Sequence, residues 1–257
     1  MARNNMFKRV IVKIGTGVVS KGNGELDEGI LESLVDQIAA LRKRGIEVVI
    51  ITSGAVGAGR SVLSHEGTDT EVVRKQVFAA VGQARLMNIY SALFAKHGYL
   101  CAQVLATKGD FRDAEHYQNM KNCFKALILD AVVPIVNEND VVATAELMFT
   151  DNDELAGLIV TQLEADTLFI LTSTDGILDG NKKTVLEVNA LNAADVAKFI
   201  TDDASAFGRG GMKTKFAIAR ELSEKGTTVY IVNGKTKDVL LDVADGAARG
   251  TRFITAK

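Results

Sequence analysis

The chain has 257 residues, 47% of them hydrophobic, and its 30 Lys+Arg nearly cancel its 32 Asp+Glu, for a net charge of −2. That is ample for a sizeable core, and it leaves no long-range field to draw the whole chain onto nucleic acid or a membrane surface. Cys101 and Cys123 make neither a metal-ligand spacing nor a disulfide framework, no stretch approaches the ~20 apolar residues of a membrane span, and the N-terminus lacks a long apolar h-region, so a soluble cytoplasmic protein is expected.

Arg9–Ile14 reads as a buried strand stopped by Gly15. Ile30, Leu31, Leu34, Val35, Ile38 and Leu41 recur at helical spacing, which predicts a helix over Asp27–Arg44 with Asp27 as N-cap and Gly45 just past its end. Glu47–Thr52 is a second buried strand, and Ser53–Gly59 a turn of small residues. A long helix is predicted over Val72–Lys96, a strand over Leu100–Ala106, a helix over Ala114–Asp130 and a strand over Val132–Val136. Helix follows over Asn152–Leu163, strand over Thr167–Thr172, and helices over Ala190–Ile200 and Met212–Lys225. Thr228–Val232 is a strand, Asp238–Ala244 a short helix and Gly250–Ile254 a closing strand. The strands are continuous apolar runs and alternate with helices, the pattern of an α/β sandwich with a mainly parallel sheet covered on both faces. Pro134, the only proline, suggests a strand end or edge at its position.

Ligands in open α/β sheets bind beyond the carboxyl ends of the strands. The candidate segments there are Lys13–Gly17, Thr52–Ala55, Asn137–Asp140 and Thr172–Gly176. No P-loop is present, because Met212 separates Gly211 from Lys213. Neither Gly15-Thr-Gly17 nor Gly54–Gly59 fits a dinucleotide fingerprint. Gly208–Lys215 leads into a helix and has two readings. Its glycines, lysines and the helix N-terminus suit a phosphate; the same residues also make a flexible, solvated loop.

Lys13 is the sharper anomaly. A lysine at the end of a buried strand needs a counter-charge or a phosphate, unless it reaches solvent along its own stem. Gly15 and Gly17 beside it permit close approach of a polyphosphate. From Ala126 to Asn181 there is no Lys or Arg at all, while acids recur. Within that stretch Asn137, Asn139 and Asp140 follow a buried strand. Asn side chains both donate and accept, so they suit the ammonium and carboxylate ends of an amino acid, and Asp140 suits the ammonium. Asp153 can hold Lys13 and Lys215, or help organise a metal. Mg²⁺, which prefers oxygen ligands and rides on nucleotide phosphates, would add positive charge. His65, His97 and His116 show no metal spacing. Ser53 lacks the G-x-S-x-G context of a nucleophile and suits hydrogen bonding to substrate.

Together, Val12–Thr16, Ile51–Ala55, Lys75–Leu86, Val136–Asp140, Ala143–Glu146, Asp151–Asp153 and Gly210–Lys215 resemble the glutamate 5-kinases of the amino acid kinase family, in order along nearly the whole chain. The resemblance implies a three-layer α/β/α sandwich spanning 1–257, with 1–165 mainly binding glutamate and 166–257 mainly binding ATP. It implies ATP-dependent phosphorylation of the L-glutamate γ-carboxylate, the first step of proline biosynthesis, with L-proline as feedback inhibitor and Mg²⁺ carried on the nucleotide. By the same resemblance Lys13, Asp153 and Lys215 are catalytic, and Ser53, Asn137, Asp140 and Asn152 bind glutamate. Lys13, Gly15, Thr172, Ser173, Arg209, Gly210, Gly211, Met212, Lys213, Thr214 and Lys215 serve the nucleotide. A homo-dimer or tetramer is implied, with no nucleic-acid or membrane partner and with a glutamyl phosphate reductase acting downstream.

Ser173 stands where the family commonly has Asp, and Arg209 where it often has Thr. Many members carry a C-terminal PUA domain, which the sequence to Lys257 does not include, so a short form or a piece of a longer or fused enzyme is expected. The alternatives are another kinase of the same fold, acting on N-acetylglutamate, aspartate or uridylate, and a non-catalytic module that senses an amino acid.

Overall fold

The computed structural model describes residues 7–64, 70–143, 149, 151–200 and 211–255. In chain order the elements are β1 (Arg9–Ile14), α1 (Thr16–Val19), α2 (Glu28–Lys43), β2 (Glu47–Ile51), α3 (Ala55–Arg60) and α4 (Glu71–Ala95). β3 (Cys101–Ala106), α5 (Lys108–Arg112), α6 (Ala114–Leu129), β4 (Val133–Glu138), α7 (Asn152–Leu163) and β5 (Thr167–Thr172) follow. The chain continues with β6 (Glu187–Val188), α8 (Ala193–Ala197), α9 (Met212–Glu224), β7 (Thr228–Asn233), α10 (Val239–Ala244) and β8 (Thr251–Phe253).

The strands form one eight-stranded sheet in the order β3-β4-β2-β1-β5-β7-β8-β6. All pairings are parallel except β7 with β8. Side chains alternate across it. Val10, Val12 and Ile14 of β1 join a core with α2, α4 and α10, whereas Ile11 joins the opposite core with α6, α7 and α9. Both layers are apolar, so every central strand reads as an unbroken hydrophobic run. The expected three-layer sandwich is therefore present.

The alternation also decides where Lys13 points. It shares the face of Ile11, under α7. The chain runs outward from β1 to β2 on one side, and β5 lies on the other side of β1. The carboxyl ends of β4, β2, β1 and β5 thus stand side by side at the switch point of the sheet, where a crevice is expected.

Several local expectations change. Ser53–Gly59 is not a turn: Gly54 takes φ +104° and opens α3. β4 runs on through Asn137 and Glu138, so these two are strand residues rather than loop residues. Pro134 is near the start of β4, but β4 is an interior strand; its ladder with β2 begins only at Ile135, beyond the missing N–H. The helix expected over Ala190–Ile200 shrinks to α8. Before it, the Asn189 and Asn192 side chains accept from nearby backbone N–H groups, of Leu191 and Asn189, and so compete with helical pairing.

Candidate active site

A cleft of about 630 Å³ opens at the switch point of the sheet. Lys13, Gly15, Ser53, Asn137, Asp140, Asn152, Asp153, Thr172, Ser173 and Lys215 all line it. Ten positions proposed from sequence, carried by six segments, therefore line one cleft.

At its floor lie three charges that are almost fully removed from water. Lys13 is 4% exposed, Asp153 0% and Lys215 8%. Lys13 Nζ lies 2.5 Å from Asp153 Oδ1, and Lys215 Nζ lies 2.9 Å from Asp153 Oδ2. Unpaired ions at such depth would be strongly unfavourable. Burial by itself pushes the Asp153 carboxyl up, but the two ammonium groups outweigh it and hold Asp153 below the usual carboxylate range. One carboxylate against two ammonium groups gives the trio itself a net positive charge, suited to an anion, which Asp151 offsets when ionised.

Asp153 is placed by its helix. Asp151 is the N-cap of α7; its Oδ1 accepts from the backbone N–H groups of Asp153, at 2.8 Å, and Glu154, at 3.1 Å. The cap fixes the first turn, so Asp153 points down at Lys13. Burial, and then the nearby Asp153 charge, raises the Asp151 carboxyl above its ordinary range. Its Oδ2 is buried without a partner among the described residues. Sequence reasoning quoted Asp151 inside its motif but gave it no role; the Asp-x-Asp-Glu pattern at a helix start was the available signal.

Beside the charges lies a cluster of amides and hydroxyls. Asn152 Nδ2 donates to the Thr52 carbonyl at 2.7 Å, to Ser53 Oγ at 3.0 Å and to Asn137 Oδ1 at 3.1 Å. Thr52 Oγ1 pairs with the hydroxyl of the fully buried Tyr90 at 2.9 Å. Glu138, also buried, accepts from the Phe149 N–H at 2.8 Å and so ties the end of β4 to the approach to α7.

The Ser53 wall is held by a close helix crossing. A Cβ on Gly82 of α4 would sit 1.8 Å from the Ala55 carbonyl oxygen, and one on Gly59 would sit 2.0 Å from the Phe78 carbonyl oxygen. Only glycine lets α3 and α4 meet backbone to backbone there.

Gly211, Met212, Lys213 and Thr214 make the N-cap and first turn of α9, leading to Lys215, and no side chain caps that helix. They do not line the cleft. Arg209 and Gly210 fall outside the described residues, as does His65. The other histidines lie away from the cleft; His97 pairs with Asp36 and His116 with Asp110. Residues that sequence reasoning did not single out also line it, among them Glu25, Arg60 and Lys75. Their side chains are polar and solvent-reaching, with no local pattern that marks them. Among the described residues, no helix is long and apolar enough to cross a membrane.

The model of the amino acid kinase family matches residues 8–233. The chain is 50% identical over 254 residues to glutamate 5-kinase of Chlorobaculum tepidum, covering 98% of this chain and 70% of that protein. It is 44% identical over 242 residues to glutamate 5-kinase of Bacteroides thetaiotaomicron, covering 92% of this chain and 67% of that one. Among solved structures, UMP kinase from Bacillus anthracis shares the fold, with a TM-score of 0.63 at 14% identity over 96% of both chains.

Proposed function

The chain belongs to the amino acid kinase family, among its glutamate 5-kinases, and we infer on that premise that it transfers the γ-phosphoryl group of ATP to the γ-carboxylate of L-glutamate. The product is L-glutamyl 5-phosphate, and the step opens proline biosynthesis.

The observation that carries the residue assignment is the buried Lys13–Asp153–Lys215 triad, set beside an amide and hydroxyl cluster in one cleft. A γ-carboxylate has a reference pKa of about 4.3, so at neutral pH the nucleophile is already ionised. No general base is needed. The barrier lies instead in bringing two anions together in line. Lys13 and Lys215 supply positive charge in a site shielded from water, where such charge acts strongly. Asp153 sets the position of both ammonium groups.

In this reading Ser53, Asn137, Asp140 and Asn152 hold glutamate, with Asp140 facing its ammonium. Gly15, Thr172 and Ser173 serve the nucleotide on the other side, joined by Arg209, Gly210 and the first turn of α9 from Gly211 to Thr214. Residues 1–165 then form mainly the glutamate lobe and 166–257 mainly the ATP lobe. Among the described residues no three His, Cys, Asp or Glu side chains converge into a metal cage, and both Asp153 oxygens already face lysines. That donor set suits Mg²⁺ carried on the phosphates, where it would neutralise charge, with Asp151 Oδ2 a buried carboxylate oxygen at the cleft that has no partner among the described residues. L-Proline as feedback inhibitor, a homo-oligomeric state, a cytoplasmic setting and a reductase that consumes the labile acyl phosphate belong to the same proposal.

Lys215→Ala tests catalysis against mere sensing. Turnover should fall by about two orders of magnitude or more while calorimetric binding of glutamate persists. A variant that keeps full turnover would overturn the assignment of the triad.

A further inference from the structure

Gln83 of α4 is buried and stands behind the cleft wall, yet it is the next link in the amide cluster. An amide side chain can present either end, and only its partners decide which. Two backbone groups of fixed role decide here. The Glu138 N–H can only donate, and it donates to Asn137 Oδ1 at 2.9 Å. The other end of Asn137 is therefore Nδ2, which donates to Gln83 Oε1 at 3.0 Å. Gln83 Nε2 in turn donates to Gln103 Oε1 at 2.9 Å. From the opposite side, the Thr52 carbonyl can only accept, and it takes Asn152 Nδ2 at 2.7 Å. Both anchors dictate the same polarity.

The consequence reaches the cleft. The three acceptors of Asn152 all face Nδ2 and share its two hydrogens, so its Oδ1 has no partner among the described residues and remains accessible. Ser53 Oγ accepts from Asn152, so its own hydrogen is free to be donated. The cleft that Asp140 also lines thus shows an acceptor for an ammonium and a hydroxyl donor for a carboxylate.

We propose that Gln83 is a positioning residue for the amino acid substrate, holding Asn137 and through it Asn152 in the orientation that presents Asn152 Oδ1 to the ammonium group. The inference rests on the glutamate reading above. Without an oxygen at position 83, Asn137 Nδ2 is left buried and unpaired. Rotation of Asn137 relieves that only by turning its Nδ2 toward the Glu138 N–H and Asn152 Nδ2, so that donor faces donor and Asn152 loses one of its three acceptors.

Gln83→Leu should raise the glutamate KM by about ten- to a hundredfold, with the ATP KM and kcat nearly unchanged. Gln83→Glu keeps an acceptor for Asn137, and exposed Gln103 can turn to donate, so it should restore most of the glutamate KM. If the Leu variant does not fold, Gln83→Met, of similar length and without oxygen, takes its place. Unchanged KM values in a wild-type background that phosphorylates glutamate would overturn the inference alone. Equal rises for both substrates, or no recovery with Glu, would also overturn it. A wild-type protein inert toward glutamate would overturn the functional reading itself.

Discussion

Lys13 and Lys215, from the first strand and from α9, hold opposite oxygens of the single Asp153 carboxylate, at 2.5 and 2.9 Å. The two lysines would repel each other in this buried setting, and the carboxylate between them makes their approach favourable. Asp153→Asn should therefore do two things at once. It removes the carboxylate that the two buried ammonium groups share, which should lower stability by about 3–5 kcal/mol in denaturant titration. It also loosens the placement that Asp153 gives both lysines, so kcat should fall by about two orders of magnitude or more. Full activity in a stable Asp153→Asn protein would show that the lysines are placed by something else.

Asp151 and Asp153 titrate in opposite directions, and that gives the pH dependence a sign. The Asp153 carboxyl is held low in the folded state against about 3.9 when unfolded. Its stabilising contribution is present above that value and is lost as pH falls through its lower folded value. The Asp151 carboxyl is raised by burial and the Asp153 charge, so its contribution is present below the unfolded value and is lost as pH rises through the folded one. Asn caps a helix about as well as Asp. Asp151→Asn should thus stabilise the ligand-free protein at neutral pH, with the gain shrinking as pH falls through the raised folded value and gone below about pH 4. Unfolding free energies measured for wild type and variant from about pH 3 to pH 7 check this; a gain that grows toward acid would contradict it.

Asp140 lines the same cleft as the amide cluster and is assigned to the substrate ammonium. Asp140→Ala should raise the glutamate KM by about tenfold to a hundredfold, the range for a charged hydrogen bond, while the ATP KM stays within about twofold. Steady-state kinetics varying each substrate in turn separates the two. A change confined to ATP would place Asp140 in the wrong subsite.

Gly82→Ala should be strongly destabilising, because the new Cβ would lie 1.8 Å from the Ala55 carbonyl oxygen and neither is a flexible side-chain end. A loss of about 3 kcal/mol or more in urea unfolding is expected, with a raised glutamate KM as the Ser53 wall shifts. Unaltered stability would mean that α3 and α4 can separate without cost.

The charged floor of the site was legible in the sequence because its residues break a rule that strands and helices otherwise obey. Lys13 ends an apolar strand, Lys215 sits one turn into a helix, and Asp153 sits in a segment with no cation of its own; each needs a distant partner. The central strands and the long helices were legible for the ordinary reason, uninterrupted apolar runs and helical spacing. What stayed hidden depends on contacts between segments. Gly54–Gly59 has the composition of a turn, and it becomes α3 only because Gly59 and Gly82 let α4 support it. Gln83 on an amphipathic helix reads as a solvent-facing residue, and its burial comes from the meeting of α4 with β4. Pro134 suggested a strand end or an edge; its neighbours in the sheet, which no local pattern names, place it near the start of an interior strand.

The measurement that bears most directly on the proposed chemistry is ATP-dependent acyl phosphate formation, trapped with hydroxylamine, with L-glutamate, N-acetylglutamate and L-aspartate run side by side. A hydroxamate signal with glutamate alone, absent in Lys215→Ala, is the expected result. A signal only with another acceptor, or none with any of the three from folded protein that still binds glutamate, would contradict it.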